Sequence, residues 1–232
     1  MKILVIDDEK PTLSMFKLFL TAYGYDVYTA EDGEKGLALF NEISPEIVFT
    51  DIKMPGIDGL EVLRRIRKTG MPSEVIIITG HGDMEKAVEA LDLNASDFIT
   101  KPVERQALNS ALARAEKRKQ MPQNLPVEFS EKKEEDSLAI SVKGKLTASA
   151  KEAFLSLFKI RVFNDIREVR LIFDDSFSID RSGISLLMEV IQDLKQKNIA
   201  IIMENLSYNY LRVFQMAGID KMATLKETLP ED

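Results

Sequence analysis

Polar side chains with complementary chemistry follow the ends of four short apolar runs in the first half of the chain. Asp7 and Asp8 follow the first run, Asp51 follows the second, Thr79 ends the third, and Lys101 follows the fourth. If these runs are parallel strands of one sheet, their carboxyl ends open on the same edge. A single polar residue at a strand end is usually a solvated loop residue, but five at matching ends indicate a site.

The residue types of this group limit the chemistry that it could perform. Three clustered carboxylates repel one another and need a counter-cation. Hard oxygen ligands favour Mg²⁺, which keeps part of its water shell and can accept a phosphoryl oxygen. A carboxylate in such a site can act as a nucleophile and form an acyl phosphate. Thr79 and Lys101 could then hold two further phosphoryl oxygens, as a hydroxyl donor and a point charge.

The hydrophobic pattern predicts the elements that position these groups. Short runs rich in Ile, Val, Phe and Thr predict buried strands, and the amphipathic stretches between them predict helices. The predicted strands are residues 3–6, 27–30, 47–50, 75–79 and 98–100, and the predicted helices are residues 12–23, 33–41, 59–68, 84–94 and 104–119. This alternation predicts an α/β domain with a doubly wound, five-stranded parallel sheet over residues 1–120.

The segments around the candidate site resemble the receiver domain of two-component response regulators. The resemblance covers about residues 1–120 and is carried by four motifs: Val5-Ile6-Asp7-Asp8-Glu9, Asp51-Ile52-Lys53-Met54-Pro55-Gly56-Ile57-Asp58-Gly59, Ile78-Thr79-Gly80-His81-Gly82 and Phe98-Ile99-Thr100-Lys101-Pro102. It implies that Asp51 accepts a phosphoryl group from a sensor histidine kinase. It also implies a possible homodimer through this domain.

The resemblance assigns roles to further residues. Mg²⁺ should be bound by Asp7, Asp8, Asp51 and the main-chain carbonyl of Lys53. Thr79 and Lys101 should contact the phosphoryl group, and the Lys101–Pro102 peptide bond should be cis. Phe98 takes the place of the switch aromatic, although its apolar character also fits a plain core residue. His81 is placed in an exposed loop beside Thr79 rather than in an acid–base role.

A second α/β unit is predicted after a proline-containing linker at residues 121–126. The sequence predicts a hairpin with strands at 127–130 and 138–142, joined by a charged turn over residues 131–137. It further predicts strands at 169–173 and 200–203 and helices at 148–163, 183–197 and 208–217. The expected architecture of residues 127–232 is a smaller α/β domain with a mixed sheet.

The acidic stretch before the helix at residue 183 is the most informative part of this second unit. Asp180 is a good N-cap candidate, and Ser182 then lies in the first turn, where backbone amides favour a phosphate. Read singly, the two residues are an ordinary cap and a first-turn filler. Asp174 and Asp175 are interpreted as a solvated strand end rather than a metal site, because no further ligands accompany them.

The same stretch resembles the STAS family (sulfate transporter and anti-sigma-factor antagonist) over about residues 125–230. The resemblance is carried by Val142-Lys143-Gly144-Lys145-Leu146, by Asp180-Arg181-Ser182-Gly183 and by Val213-Phe214-Gln215-Met216-Ala217-Gly218-Ile219-Asp220. It implies a surface that binds an anti-sigma factor, a switch serine kinase or a phosphatase, and that phosphorylation of Ser182 would disrupt. Arg181 departs from the family pattern, which has a small hydroxyl residue there.

Composition excludes several other classes of function. The 232 residues contain no Cys, which excludes a thiol nucleophile, a disulfide scaffold and Cys-based metal sites, and the single His leaves almost no room for a histidine metal cluster. Residues 1–120 carry 16 basic and 20 acidic residues and the remainder 15 and 18, so neither half is basic enough for a dedicated nucleic-acid-binding domain. No apolar run approaches the roughly 20 residues of a membrane span. Acidic residues follow Met1 too soon for a signal peptide. We therefore expect a soluble, cytoplasmic protein with no membrane or nucleic-acid partner.

These observations favour a signalling switch in which phosphorylation of Asp51 controls protein binding by the STAS domain. A scaffold or small-ligand-sensing role for the STAS domain is the alternative, and a transcription factor is less favoured because the second half is acidic and contains strands. Residues 121–232 contain no P-loop, HExxH or nucleophile elbow. We therefore expect no enzyme activity beyond self-phosphorylation and autodephosphorylation of the receiver.

Overall fold

The computed structural model describes residues 1–80, 84–120, 127–158, 165–174 and 176–227. They form two compact units, Met1–Ala115 and Glu116–Asp232. The boundary between the units lies inside a helix, five residues before the predicted end of the first domain. The predicted linker at residues 121–126 lies outside the described residues.

The first unit is a five-stranded parallel sheet with the strand order β2-β1-β3-β4-β5. Its strands are β1 Lys2–Ile6, β2 Asp26–Ala30, β3 Ile47–Asp51, β4 Glu74–Thr79 and β5 Asp97–Thr100. Its helices are α1 Lys10–Ala22, α2 Gly33–Ile43, α3 Gly59–Lys68, α4 Met84–Asp92 and α5 Arg105–Gln120. The doubly wound α/β architecture that the sequence predicts is confirmed for this unit.

Local sequence signals explain where the helices of the first unit begin. Asp32 and Asp58 cap α2 and α3, because their side chains accept hydrogen bonds from the backbone N–H groups of Lys35 and Glu61 at 2.8 and 2.9 Å. Helix α1 starts two residues before its predicted start. Pro11 causes this difference, since proline is well suited to the first turn of a helix.

The second unit has a five-stranded sheet with the order β12-β11-β9-β7-β6. The sheet is mixed, as the sequence predicts. Its strands are β6 Glu128–Glu134, β7 Ser137–Lys143, β9 Glu168–Phe173, β11 Ala200–Leu206 and β12 Thr224–Glu227, and β6–β7 is its antiparallel pair. Two short strands, β8 Lys145–Leu146 and β10 Ser178–Ile179, pair separately. The helices are α6 Lys151–Ser156, α7 Arg181–Gln196 and α8 Tyr208–Met216, with 3₁₀ turns at Ala148–Ala150 and Ile219–Lys221.

Two predictions for the second unit are wrong in extent. The charged segment 131–137 is mostly strand rather than turn, because β6 continues to Glu134 and pairs with β7 from Ser137 onward. Strand β6 lies at the sheet edge, where charged side chains stay in solvent and Lys132 pairs with Glu134 at 2.8 Å. The predicted helix 148–163 is a 3₁₀ turn followed by a helix that ends at Ser156, and residues 159–164 lie outside the described residues.

Within the described parts of the chain, no helix combines the length and the apolar character that crossing a bilayer requires.

Candidate functional site

Three carboxylates converge at the carboxyl edge of the first sheet. Asp7 directly follows β1 and is fully buried, Asp51 is the last residue of β3 and is 5% exposed, and Asp8 is exposed. One carboxylate oxygen from each lies within 4.8 Å of the others. The structure thus brings together the three acidic residues that the sequence predicts.

Lys101 lies over this cluster and contacts two of its carboxylates. Its Nζ is 3.1 Å from Asp7 Oδ2 and 3.2 Å from Asp51 Oδ2. The pairing of β4 with β5 brings it there, because the backbone N–H of Lys101 donates to the carbonyl of Thr79 at 2.7 Å. The same ammonium also lies 3.0 Å from Glu9 Oε2.

The electrostatics of the cluster are unbalanced. Burial raises the pKa of Asp51 to about 6; the Lys101 ammonium opposes this increase, and the Asp7 carboxylate adds to it. Burial likewise raises the pKa of Asp7, against the backbone N–H of Glu9 and Lys101. For Lys101, burial alone would lower the pKa, but the surrounding carboxylates outweigh it and raise the pKa overall. One ammonium therefore does not compensate the carboxylates fully.

The donor set fits a small divalent cation. Three carboxylates supply only oxygen ligands, which Mg²⁺ prefers, and a divalent charge would favour the ionised form of Asp51, whose pKa is raised by burial and further by the Asp7 carboxylate. Asp7, Asp8 and Asp51 are the residues that would hold it. Lys53 lies in the loop after β3 with an exposed side chain. The role of its main-chain carbonyl stays a prediction.

The loop after Asp51 is shaped by two glycines. Gly56 has a positive φ of 83°, a conformation that side-chain-bearing residues rarely adopt. Gly59 begins α3 so close to β3 that an added Cβ would lie 2.1 Å from the carbonyl oxygen of Asp51. Glycine at position 59 therefore lets the start of α3 pack directly on the backbone of the candidate phosphoacceptor.

The remaining predicted residues of the first site lie around the cluster. Thr79 ends β4 and is fully buried, with its hydroxyl 3.4 Å from the carbonyl oxygen of Gly80. Phe98 is buried in β5 at 1% exposure, which fits a core residue in this structure. Its switch role stays a prediction. The Lys101–Pro102 bond is cis, as the resemblance implies. His81 lies outside the described residues.

The predicted helix start in the second unit forms as expected. Asp180 caps α7, and its Oδ1 accepts a hydrogen bond from the backbone N–H of Gly183 at 2.8 Å. Gly183 permits close packing here, since a Cβ would lie 2.2 Å from the carbonyl oxygen of Leu146 in β8. Arg181 and Ser182 are exposed. Arg181 and Ser182 therefore form the exposed part of this helix start, while Gly183 is buried beneath them.

Asp174 stabilises the turn that follows β9. Its carboxylate accepts a hydrogen bond from the backbone N–H of Ser176 at 3.0 Å. Ser176 Oγ in turn accepts from the backbone N–H of Gly144 at 3.0 Å. Asp175 lies outside the described residues. The interpretation of this stretch as a strand end agrees with these contacts.

The sequence assigns no role to Glu9, but in the structure its carboxylate forms an ion pair with Lys101. The signal is present, because Glu9 directly follows Asp7 and Asp8 in the loop that predicts the site. From the sequence alone, however, a third acidic residue in such a loop is interpreted as a solvated charge. Only the position of Lys101 in the structure distinguishes a solvated carboxylate from one that forms an ion pair.

A parallel sheet of order β2-β1-β3-β4-β5, with clustered aspartates at its carboxyl edge and a lysine after β5, defines the class of receiver domains. The family model described as response regulator receiver domain matches residues 3–113, and the model described as STAS domain matches residues 128–231. The chain thus carries a response regulator receiver domain followed by a STAS domain.

The relatives match the receiver half of the chain. The transcriptional regulatory protein GlrR of Escherichia coli is 39% identical over 112 residues, which are 47% of this chain and 25% of that protein. The regulatory protein AtoC of the same species is 35% identical over 114 residues, 49% of this chain and 25% of that protein. The chain thus covers about a quarter of the length of these curated relatives.

Solved structures of isolated receivers match the same half. A receiver domain protein from Clostridium thermocellum is 42% identical and has a TM-score of 0.49, with 51% of this chain and 96% of that chain covered. The receiver domain of NtrX from Brucella abortus is 38% identical and has a TM-score of 0.47, with 49% and 96% covered.

Proposed function

We propose that this protein is a phosphorylation-dependent signalling switch in which Asp51 accepts a phosphoryl group from a sensor histidine kinase and thereby controls protein binding by the STAS domain. The observation that carries the proposal is the Asp51 carboxylate, held beside Asp7 and Asp8 with the Lys101 ammonium 3.2 Å away. We expect this switch to act in the cytoplasm.

The chemical step is a phosphoryl transfer between two side chains. A carboxylate oxygen of Asp51 attacks the phosphorus of a phosphohistidine, the phosphorus–oxygen bond of an acyl phosphate forms, and the phosphorus–nitrogen bond breaks. The imidazole leaves with the electron pair of that bond and takes up a proton. Asp51 must be ionised to attack, and with a pKa of about 6 it is mainly ionised at neutral pH.

The other groups of the site orient and neutralise the transferred group. When bound, Mg²⁺ supplies positive charge to a phosphoryl oxygen, with Asp7, Asp8 and Asp51 as its protein ligands. Lys101 contributes a second positive charge from the segment directly after β5, and Thr79 contributes a hydroxyl at the end of β4. Hydrolysis of the acyl phosphate would reset the switch, so we propose no turnover of a separate substrate.

The proposed output is binding of a protein partner at the start of α7. Arg181 and Ser182 are exposed there, while Asp180 and Gly183 fix the backbone. Phosphorylation of Ser182 would place a dianion on this surface and disrupt a complex formed with the unmodified serine. An anti-sigma factor, a switch serine kinase or a phosphatase is the class of partner that this mode of control requires.

A scaffold or small-ligand-sensing role for the STAS domain is the second candidate, because Arg181 occupies the position at which the family pattern has a small hydroxyl residue. In that case the state of Ser182 would not control binding. A homodimer through the receiver is compatible with either role.

Phosphorylation followed by partner capture tests the proposal. The full chain, Asp51→Ala and Ser182→Asp are incubated with Mg²⁺ and acetyl phosphate, and acid-labile phosphate is located by mass spectrometry. Each protein then serves as bait for a serine kinase or phosphatase from the source cell. We expect phosphate on Asp51, capture that depends on it, and release by Ser182→Asp. Capture that ignores both substitutions would leave the receiver assignment and overturn partner switching.

A further inference from the structure

Glu9 contacts the Lys101 ammonium at the same hydrogen-bonding distance as the two aspartates do. The distances from Lys101 Nζ are 3.0 Å to Glu9 Oε2, 3.1 Å to Asp7 Oδ2 and 3.2 Å to Asp51 Oδ2. A lysine ammonium has three hydrogens to donate, so three carboxylates at these distances can occupy all of them. Before phosphorylation, Lys101 is therefore saturated with carboxylate partners.

The three partners of Lys101 differ in what happens to them during phosphorylation. Asp51 becomes the acyl phosphate, and Asp7 belongs to the carboxylate group that fits a divalent cation. Among the described residues, that group consists of Asp7, Asp8 and Asp51 and does not include Glu9. Of the three carboxylates, only that of Glu9 neither becomes phosphorylated nor belongs to the candidate cation site.

Backbone and side-chain contacts fix Glu9 in this position. Its backbone N–H donates to Asp7 Oδ1 at 2.8 Å, and the Thr12 hydroxyl donates to its Oε2 at 3.2 Å. Glu9 is also the N-cap residue of α1, although its side chain makes no capping hydrogen bond. The carboxylate is thus directed at Lys101 rather than at the helix start.

We propose that Glu9 is a positioning residue that keeps the Lys101 ammonium at the mouth of the site while Asp7 and Asp51 exchange it for a divalent cation and a phosphoryl group. This inference rests on the proposed phosphorylation of Asp51. Lys101 keeps one hydrogen bond to Glu9, and its two released hydrogens become available to a phosphoryl oxygen. Because Glu9 already restricts the Lys101 side chain before the phosphoryl group binds, less conformational entropy is lost when it binds.

A purely electrostatic effect of Glu9 would have the opposite sign. A carboxylate close to a phosphoryl group repels it, so removing the charge would strengthen anion binding whether or not Lys101 is present. A positioning effect instead weakens anion binding when Glu9 is removed, and it disappears when Lys101 is absent. A double-mutant cycle separates the two.

The experiment measures binding of beryllofluoride, a phosphoryl mimic, to the full chain by titration calorimetry at fixed, saturating Mg²⁺. The variants are Glu9→Ala, Glu9→Gln, Lys101→Ala and the double variant Glu9→Ala/Lys101→Ala. Glu31→Gln is the matched control, because Glu31 directly follows β2 and contacts an exposed lysine, Lys10, at 3.6 Å. Circular dichroism and thermal unfolding establish that each variant is folded.

We expect Glu9→Ala to weaken beryllofluoride binding about fivefold, the size of an exposed ion-pair effect, and Glu9→Gln to weaken it less because one oxygen acceptor remains. Glu31→Gln should bind like the wild type. In the Lys101→Ala background, Glu9→Ala should have no further effect. An equal effect in both backgrounds, or tighter binding by Glu9→Ala, would overturn the proposal.

A spectroscopic readout tests the contact itself without Mg²⁺ or beryllofluoride. In protein labelled with ¹⁵N-lysine, the Lys101 ammonium signal is identified by its loss in Lys101→Ala. We expect the signal in the wild type and in Glu31→Gln, and its broadening by solvent exchange in Glu9→Ala. An unchanged signal in Glu9→Ala would contradict the contact. Failure of the wild type to bind beryllofluoride, with Asp51→Asn behaving identically, would instead overturn the proposed function.

Discussion

Each of the two units has an aspartate at the end of a strand, but the electrostatic surroundings of the two aspartates differ. Asp51 ends a buried strand beside Asp7 and Asp8, whereas Asp180 follows the short strand β10 and caps α7. The Asp180 carboxylate is satisfied by the backbone N–H of Gly183, but the Asp51 carboxylate shares one lysine with its neighbours. A carboxylate that accepts a hydrogen bond from a nearby backbone N–H stabilises the fold. A carboxylate whose negative charge is not fully compensated by neighbouring cations is available to a cationic ligand.

The close backbone packing is the same at both places. Gly59 packs against the carbonyl of Asp51, and Gly183 packs against the carbonyl of Leu146. Each glycine lets the first turn of a helix lie directly on a strand. The difference between the two regions therefore lies in the number of acidic side chains around that packing, which can be tested by substitution.

The largest expected effect is the loss of phosphorylation in Asp51→Asn. The amide oxygen is a poor nucleophile, so phosphate incorporation from acetyl phosphate should fall by orders of magnitude in a mass-spectrometric assay. Asp180→Asn is the matched control, because asparagine also caps helices and the receiver site is unchanged. Comparable incorporation by Asp51→Asn and the wild type would remove the chemical distinction between the two aspartates.

The next effect is the cost of filling the two close contacts. Gly59→Ala and Gly183→Ala should each lower the free energy of unfolding by about 2–4 kcal/mol, because a methyl group would overlap a backbone carbonyl. Gly56→Ala should cost only about 1 kcal/mol, since nothing lies within 4 Å and only the positive φ opposes it. Urea denaturation gives the values, and hydrogen exchange shows which unit is destabilised. Equal costs at all three positions would contradict the close-packing account.

Stability should respond in opposite directions to removal of the two aspartates. Without Mg²⁺ at pH 7, Asp51→Asn should raise the free energy of unfolding by about 1–3 kcal/mol, because it removes a carboxylate whose ionisation burial disfavours. Asp180→Ala should lower it by about 1 kcal/mol through loss of the cap. Both are measured by denaturant titration, and destabilisation by Asp51→Asn would contradict the raised pKa.

The pH dependence of the Asp51→Asn effect follows from the same pKa. A carboxyl with a folded-state pKa of about 6 favours the folded state when it is protonated. That contribution is present at low pH and is lost as the pH rises through about 6. The difference between Asp51→Asn and the wild type should therefore shrink as the pH falls from 7 toward 4, and a difference independent of pH would contradict this account.

The smallest expected effect concerns an ion-pair network on the sheet of the second unit. Arg170 lies 2.6 Å and Lys226 3.0 Å from Glu204, and hydrogen bonding to Arg170 lowers the pKa of Glu204. The stabilisation is present above the unfolded-state pKa and is lost as the pH falls through the lower folded-state value. Glu204→Gln should therefore cost below about 1 kcal/mol at pH 7 and nothing in strong acid. A constant cost in denaturant titrations at both pH values would exclude the ion pairs as its source.

The first unit is predictable from its sequence almost completely, because buried parallel strands read as continuous apolar runs. The ends of those runs are enough to locate Asp7, Asp51, Thr79 and Lys101 at one edge of the sheet. The role of Glu9 is not predictable in this way, because it depends on where a lysine 92 residues away in sequence places its ammonium.

The second unit is harder to predict, since the local hydrophobic pattern of an edge strand does not show whether the segment forms a strand. Strand β6 contains Glu131, Lys132 and Lys133, and its existence depends on pairing with β7. The two-residue strands β8 and β10 are too short to give any periodic signal. The cap at Asp180 is predictable, because it requires only the Asp180 side chain and the backbone N–H of Gly183, three residues later in the sequence.

The charged residues of β6 have a consequence for how the protein behaves at high concentration. A strand at the edge of a sheet offers unpaired N–H and C=O groups to any other extended chain. The run of charged residues Lys132, Lys133 and Glu134 along this edge opposes addition of a strand from another molecule, since desolvating these charges is costly. The segment that looks least like a strand in the sequence thus disfavours strand addition at this edge of the sheet.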